Sequence, residues 1–181
     1  IQWIAAEDVE KHGPELLLGS AQGIIVPGGF GERGLEGMIA TANYARTSGI
    51  PYLGLCLGMQ IMVVEYARNE LGISNASSLE IDPEAEHPVI AFMPGQEDLH
   101  STGGTMRLGV YPCVLKEGTL VREAYGKELV SERHRHRYEF NNDYRIQLEE
   151  AGLIASGTSP DGNLVEVTEV YDHPFMIGSQ F

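Results

Sequence analysis

Between Pro51 and Arg68 the chain reads Pro-Tyr-Leu-Gly-Leu-Cys-Leu-Gly-Met-Gln-Ile-Met-Val-Val-Glu-Tyr-Ala-Arg, and few folds accept that order of residues. Tyr52 to Leu55 is an apolar run with the length and composition of a buried strand. Ile61, Met62, Val64 and Tyr66 then give a helical pattern, with no Gly or Pro from Gln60 to Arg68. Cys56 sits at the junction, with Gly54 and Gly58 two residues away on either side. A nucleophile elbow has this spacing: the sharp strand-to-helix turn strains the nucleophile's backbone, and only small neighbours let the surrounding chain approach. The helix would point its N-terminal N–H groups at Cys56 and favour the thiolate. A free cysteine is more often a small buried hydrophobe, and Gly-x-Cys-x-Gly alone is a weak signal. The strand before it and the helix after it make Cys56 the candidate nucleophile.

The residues before the elbow repeat the same rhythm. Gly23 to Val26 is a buried strand that runs into Pro27-Gly-Gly-Phe-Gly-Glu-Arg-Gly34, a loop whose backbone must turn tightly or approach something closely. Leu35 to Ser48 is a helix closed by Gly49. Strand, loop, helix, strand, elbow and helix together predict an α/β fold: three layers, a mostly parallel central sheet flanked by helices. In such sheets ligands collect at the carboxyl ends of the strands, where the glycine loop and Cys56 would face each other. The loop could be a plain surface turn or a phosphate cradle, but it fits neither G-x-G-x-x-G nor a Lys-containing P-loop. It could also supply an oxyanion donor. A thiolate attacking a carbonyl needs two N–H groups aimed at the developing O⁻, one from the residue after the nucleophile, Leu57, and one from a glycine of a neighbouring loop.

Composition narrows the function class. A net charge of −14 disfavours nonspecific binding to nucleic acid or to an anionic membrane surface. No apolar run reaches the roughly 18 residues of a membrane span, and nothing reads as a signal peptide. Two cysteines, Cys56 and Cys113, are too few for a disulfide framework and suit a reducing cytoplasm. The 181 residues suffice for one domain with a sizeable core.

Elsewhere the expectations are plainer. Ile1 to Ile4 alternates like a strand, and Ala6 to Leu18 is a short helix interrupted at Gly13-Pro14. Residues 71–102 read as irregular, with Pro83, Pro88 and Pro94 punctuating them. Glu80 reads as a surface carboxylate and His100 as solvated. Residues 105–115 are strand material around a turn, with Cys113 in the core. Residues 129–140 read as a strand edge carrying the basic run Arg133-His-Arg-His-Arg137, which is either a solvated face or a carboxylate or phosphate site. Asn141 can cap a helix over Tyr144 to Glu150, and Pro160 to Asn163 is a hairpin turn between Leu153–Thr158 and Leu164–Val170. His173 falls at the far end of the last strand, Phe175 to Phe181. Both termini look cut within core strands, so sequence is expected on either side.

Several of these segments carry a family resemblance. Pro27-Gly-Gly-Phe-Gly31, Gly54-Leu-Cys-Leu-Gly-Met-Gln60 and Gln180-Phe181 resemble the class I, triad-type glutamine amidotransferases. Gly103-Gly-Thr-Met-Arg-Leu-Gly109 and Glu132-Arg-His-Arg-His-Arg-Tyr-Glu139 resemble, more particularly, the glutaminase domains of the CTP synthase family, over essentially the whole chain.

The resemblance implies that Cys56 attacks the side-chain amide of L-glutamine, forms a glutamyl thioester and releases ammonia. A synthase domain of the same polypeptide would use that ammonia to aminate ATP-activated UTP to CTP. Carried over by position, Gly29 and Leu57 would form the oxyanion hole. Gln60, Glu80 and Arg137, helped by Gly58 and Met59, would hold the α-amino and α-carboxylate groups, with Arg133 and Arg135 as neighbouring alternatives to Arg137. Thr105 and Arg107 match the segment tied to activation by GTP. No metal and no cofactor is implied for this domain; ATP and Mg²⁺ would belong to the synthase domain, with GTP as allosteric activator. The whole enzyme would be a cytoplasmic homo-oligomer, a tetramer, with no nucleic-acid or membrane partner. In the family, Gln-Phe is followed by His-Pro-Glu, the general base and its orienting carboxylate. Residues 1–181 are therefore expected to be one amidotransferase domain without its first strand and helix and without the segment after Phe181. Two other readings remain from the residues: another thiol hydrolase on the same fold, such as a γ-glutamyl hydrolase, or a non-catalytic module binding glutamine or a nucleotide.

Overall fold

Gly13 takes a φ of +81° and Pro14 opens a new helix, so the first helical stretch is two pieces, α1 (Ala6–His12) and α2 (Pro14–Leu18). In this computed structural model, which describes residues 1–92 and 106–181, the chain continues through β1 (Ile24–Val26), α3 (Leu35–Ser48), β2 (Tyr52–Leu55) and α4 (Leu57–Asn69). Gly49 ends α3 in the left-handed conformation, φ +67°, with its N–H returned to the Ala45 carbonyl. Then come β3 (Ala76–Ser78), β4 (His87–Phe92), β5 (Arg107–Leu115), α5 (Leu120–Tyr125), β6 (Leu129–His136) and β7 (Tyr138–Phe140). The chain closes with α6 (Arg145–Glu150), β8 (Leu153–Thr158), β9 (Val165–Val170) and β10 (Met176–Ser179).

The large sheet has the order β1-β2-β10-β9-β8-β5-β6. It is α/β in its first half, but it is mixed where a mostly parallel sheet was expected. Only β1–β2 and β2–β10 are parallel. The pairs β10–β9, β9–β8, β8–β5 and β5–β6 are antiparallel. Connection length explains the change. A parallel pair needs a crossover such as α3, whereas the tight turn at 159–164 can only return the chain antiparallel. Asn141 does cap as expected: its side chain accepts from the Asp143 N–H and starts a 3₁₀ turn that runs into α6.

A second sheet, β3-β4-β7, comes from the stretch that reads as irregular. Pro88 lies inside β4, and prolines of this kind hide a strand from pattern reading. Ile1 to Ile4, by contrast, is not a strand. Helix α4 lies between the two sheets, packed on β2 and β10 on one side and on β3 and β4 on another, with α3 alongside. Every residue from Leu57 to Ala67 is therefore buried, which explains why so much of its circumference is apolar. The hinge of the architecture is the β2–α4 junction.

Candidate active site

Cys56 is the only non-glycine residue with positive φ among the described residues, at φ 52° and ψ −102°. Such a backbone costs an L-residue about 1–3 kcal/mol, and it persists only where its surroundings enforce it. Here they do. The Cys56 N–H donates to the Ser179 carbonyl at 2.7 Å, locking the elbow to β10, and its carbonyl accepts from the N–H groups of Met59 and Gln60 at 3.1 and 3.2 Å. The buried Tyr52 hydroxyl donates to the Gly58 carbonyl at 2.8 Å. Neither flanking glycine could carry a side chain: a Cβ at Gly54 would lie 2.5 Å from the Gly58 carbonyl, and one at Gly58 only 2.1 Å from the Val26 oxygen.

The pocket in front of the sulfur is lined by Gly29, Phe30, Cys56, Gln60, Glu80, Met106, His136, Arg137 and Tyr138. It draws together five of the residues expected from the sequence, Gly29, Cys56, Gln60, Glu80 and Arg137. The glycine loop does close on the elbow: a Cβ at Gly28 would be 3.4 Å from that of Cys56, and one at Gly29 would be 3.2 Å from Leu57. The Leu57 N–H acts to lower the pKa of the Cys56 thiol. Gly58 and Met59 do not line the pocket. Met59 is buried beneath β10, so only the backbone of these two residues could meet a ligand.

Glu80 is not the surface carboxylate its sequence context suggests; it is half-buried at the pocket wall. Burial raises its pKa, against the pull of the Gly31 N–H and the Arg137 guanidinium. The basic run resolves by strand alternation. Arg133 and Arg135 face solvent, the latter over the Phe30 ring at 5.7 Å, while His134 and His136 point into the core. Arg137, just after β6, lines the pocket, and its buried Nε has no hydrogen-bond partner among the described residues.

Burial raises the Cys56 pKa more than its donors lower it. The Leu57 N–H and the Gln180 amide favour the thiolate, while Glu80 and Glu139 oppose it. The N–H at the helix start does favour the thiolate as expected, but burial outweighs it, so activation calls for a base. Sequence reasoning placed Gln180 in a motif but gave it no role. It is 1% exposed, accepts from Gln60 Nε2 at 3.3 Å and donates to Cys56 Sγ at 3.7 Å. No sequence spacing could have suggested a contact across 124 positions.

Behind the pocket lies a buried charge cluster. Arg107 is not a surface group available to a nucleotide: its side chain is buried, 2.6 Å from Glu166 and 3.7 Å from Glu139, and it packs on Tyr111. Thr105 lies outside the described residues. His134, His136 and Glu166 present ligand-type atoms within 4.8 Å of one another. No metal was expected from the sequence, and here the Arg107 guanidinium already supplies the positive charge that neutralises Glu166.

Residues 2–181 match the family model of the class-I glutamine amidotransferases. The chain belongs to that family. Its curated relatives include the CTP synthases of Dehalococcoides mccartyi, 61% identical, and Chloroflexus aggregans, 60% identical, each aligned over the whole chain. The chain spans about a third of the length of these relatives, 33% in both. The solved glutaminase domain of Trypanosoma brucei CTPS, with bound acivicin, superposes with a TM-score of 0.93 at 36% identity, covering 100% of this chain and 71% of that one. A putative GMP synthase component from Thermoplasma acidophilum, at 13% identity and a TM-score of 0.59, covers 98% of this chain and 66% of that one and shares the fold.

Proposed function

We propose that this domain hydrolyses L-glutamine at Cys56 and is the ammonia-producing part of a CTP synthase. The observation that carries the reading is a strained cysteine at the N-terminus of α4, facing a pocket with a carboxylate, Glu80, and a guanidinium, Arg137, whose buried Nε has no hydrogen-bond partner among the described residues. A free amino acid carries both an ammonium and a carboxylate, and these two groups suit them in turn. With Gln60 at the same wall, they would orient the side-chain amide toward the sulfur.

Attack by the thiolate forms the C–S bond and places negative charge on the amide oxygen, where the Leu57 and Gly29 N–H groups would receive it. Each such donor is worth roughly 100- to 1,000-fold in rate. Collapse breaks the C–N bond, ammonia departs with a proton, and water hydrolyses the glutamyl thioester. The family's general base directly follows Gln-Phe. The end of β10 runs beside the elbow, with the Ser179 carbonyl 2.7 Å from the Cys56 N–H, so a residue after Phe181 would emerge next to the sulfur. Ammonia would pass to a synthase domain that aminates UTP, with ATP and Mg²⁺ bound there and GTP as activator, in a cytoplasmic homo-oligomer. Among the described residues no helix is long and apolar enough to cross a membrane.

Cys56→Ala tests the division of labour. Glutamine-dependent CTP formation should be lost while synthesis from free ammonia is kept. Loss of both with the fold intact would refute it.

A further inference from the structure

Gln60, Gln180 and Cys56 form a chain of hydrogen bonds whose polarity is fixed at its far end. The Tyr138 carbonyl can only accept, so the Gln60 atom that meets it at 3.2 Å must be the amide nitrogen. That same nitrogen lies 3.3 Å from Gln180, which must then present its oxygen to Gln60. The remaining end of the Gln180 amide, its NH₂, therefore faces Cys56 Sγ at 3.7 Å. The Gln180 backbone is tied down as well, its N–H donating to the Glu166 carbonyl at 2.8 Å. We propose that Gln180 is a positioning residue for the nucleophile: held in one amide orientation by Gln60, it directs an N–H donor at the Cys56 sulfur and so favours the thiolate. The inference deepens the glutaminase reading and rests on it for its catalytic meaning, but it can be measured without turnover.

The groups facing the sulfur set the background for that measurement. Among the described residues they are the Leu57 N–H at the start of α4, Glu80 after β3, Glu139 on β7, His136 at the end of β6 and Arg137 just after it. None of these changes when Gln180 is replaced. The test is the pH dependence of single-site alkylation of the protein by iodoacetamide, read by intact mass. Cys113 is fully buried and pushed up to about 12, so the adduct reports Cys56, and Cys56→Ala should give none. Gln180→Met should raise the alkylation midpoint by about one pH unit, a roughly tenfold loss of thiolate below it, as expected for losing a hydrogen bond to a charged group. Gln60→Met should shift it the same way by less, and the double variant should match Gln180→Met alone. If Gln180→Met does not fold, the Gln60→Met midpoint decides the matter. An unchanged midpoint in whichever variant folds would overturn the proposal. A shifted midpoint in a protein that also carries the residues following Phe181 and still never turns over glutamine would leave it standing and refute the glutaminase reading instead.

Discussion

Gly58→Ala tests the packing on which the elbow depends, because two elementary considerations point in opposite directions. Gly58 lies in the first turn of α4 without a positive φ, so helix propensity alone predicts that alanine stabilises the protein by about 1 kcal/mol. The tertiary structure predicts the reverse. The new Cβ would lie 2.1 Å from the Val26 oxygen, 3.0 Å from its carbonyl carbon and 3.2 Å from its Cβ. All three belong to the rigid strand β1, so no flexible side-chain end can move aside. Reaching even the 3.0 Å floor for such contacts needs a retreat of 3.0 − 2.1 = 0.9 Å between α4 and β1. Overpacking of this kind costs about 1–3 kcal/mol, and the upper end is apt where backbone must yield, leaving a net loss of about 2 kcal/mol. For a domain of this size that corresponds to a fall in Tm of roughly 4–8 °C. The same displacement moves the Leu57 N–H and the sulfur, and a misplacement of about 1 Å can cost roughly 100-fold in rate. Thermal unfolding and glutamine hydrolysis would be measured together, with Gly23→Ala as control, since its Cβ would meet only Pro51 atoms at 3.7 and 3.8 Å. A Gly58→Ala protein as stable as the parent, or more so, would refute the close β1–α4 contact.

Two further predictions follow from the pocket and from the charge cluster behind it. Arg137→Met should raise the KM for glutamine roughly 10- to 100-fold with little change in kcat, as a lost charge-assisted contact would, while Arg133→Met stays within about twofold; a fall in kcat at constant KM would contradict a binding role for Arg137. Burial raises the Glu139 carboxyl to about 8 from 4.5, so between those values the unfolded chain binds fewer protons than the folded one. The stabilisation this group gives is complete below about pH 4.5 and is lost as pH rises through 8. Burial and the neighbouring His134 lower His136 to about 4 from 6.5, so its contribution is present above pH 6.5 and lost as pH falls toward 4. Above pH 6.5 only Glu139 of the two still acts, and Glu139→Gln should gain stability relative to the parent between pH 6.5 and 8.5. Parallel denaturation curves over that range would show that the carboxyl is already ionised.

The elbow was legible in the sequence because its determinants are local. A strand of apolar residues, two glycines flanking a cysteine, and a helix without breakers specify the turn within the one continuous segment Tyr52 to Arg68, and the structure returns the strand boundaries 52–55 unchanged. The Leu35–Ser48 helix with its Gly49 cap, the Asn141 cap and the 160–163 turn share that local character. The mixed pairing of the sheet did not show, because strand direction is decided by which strands meet, and β10 lies between β2 and β9 although it comes last in the chain. Glu80 and Arg107 changed places in meaning for a related reason. By pattern alone Glu80 reads as a surface carboxylate, although the resemblance assigns it to glutamine, and it is the resemblance that makes Arg107 a candidate effector contact. In the fold Glu80 borders the pocket beside Arg137, and Arg107 is buried against Glu166 and Glu139, because burial belongs to the assembled layers and not to the residue. Gln180 is the clearest case: the chain alone dictates that an amide precedes Phe181, but only the parallel pairing of β2 with β10 carries it to the sulfur of Cys56.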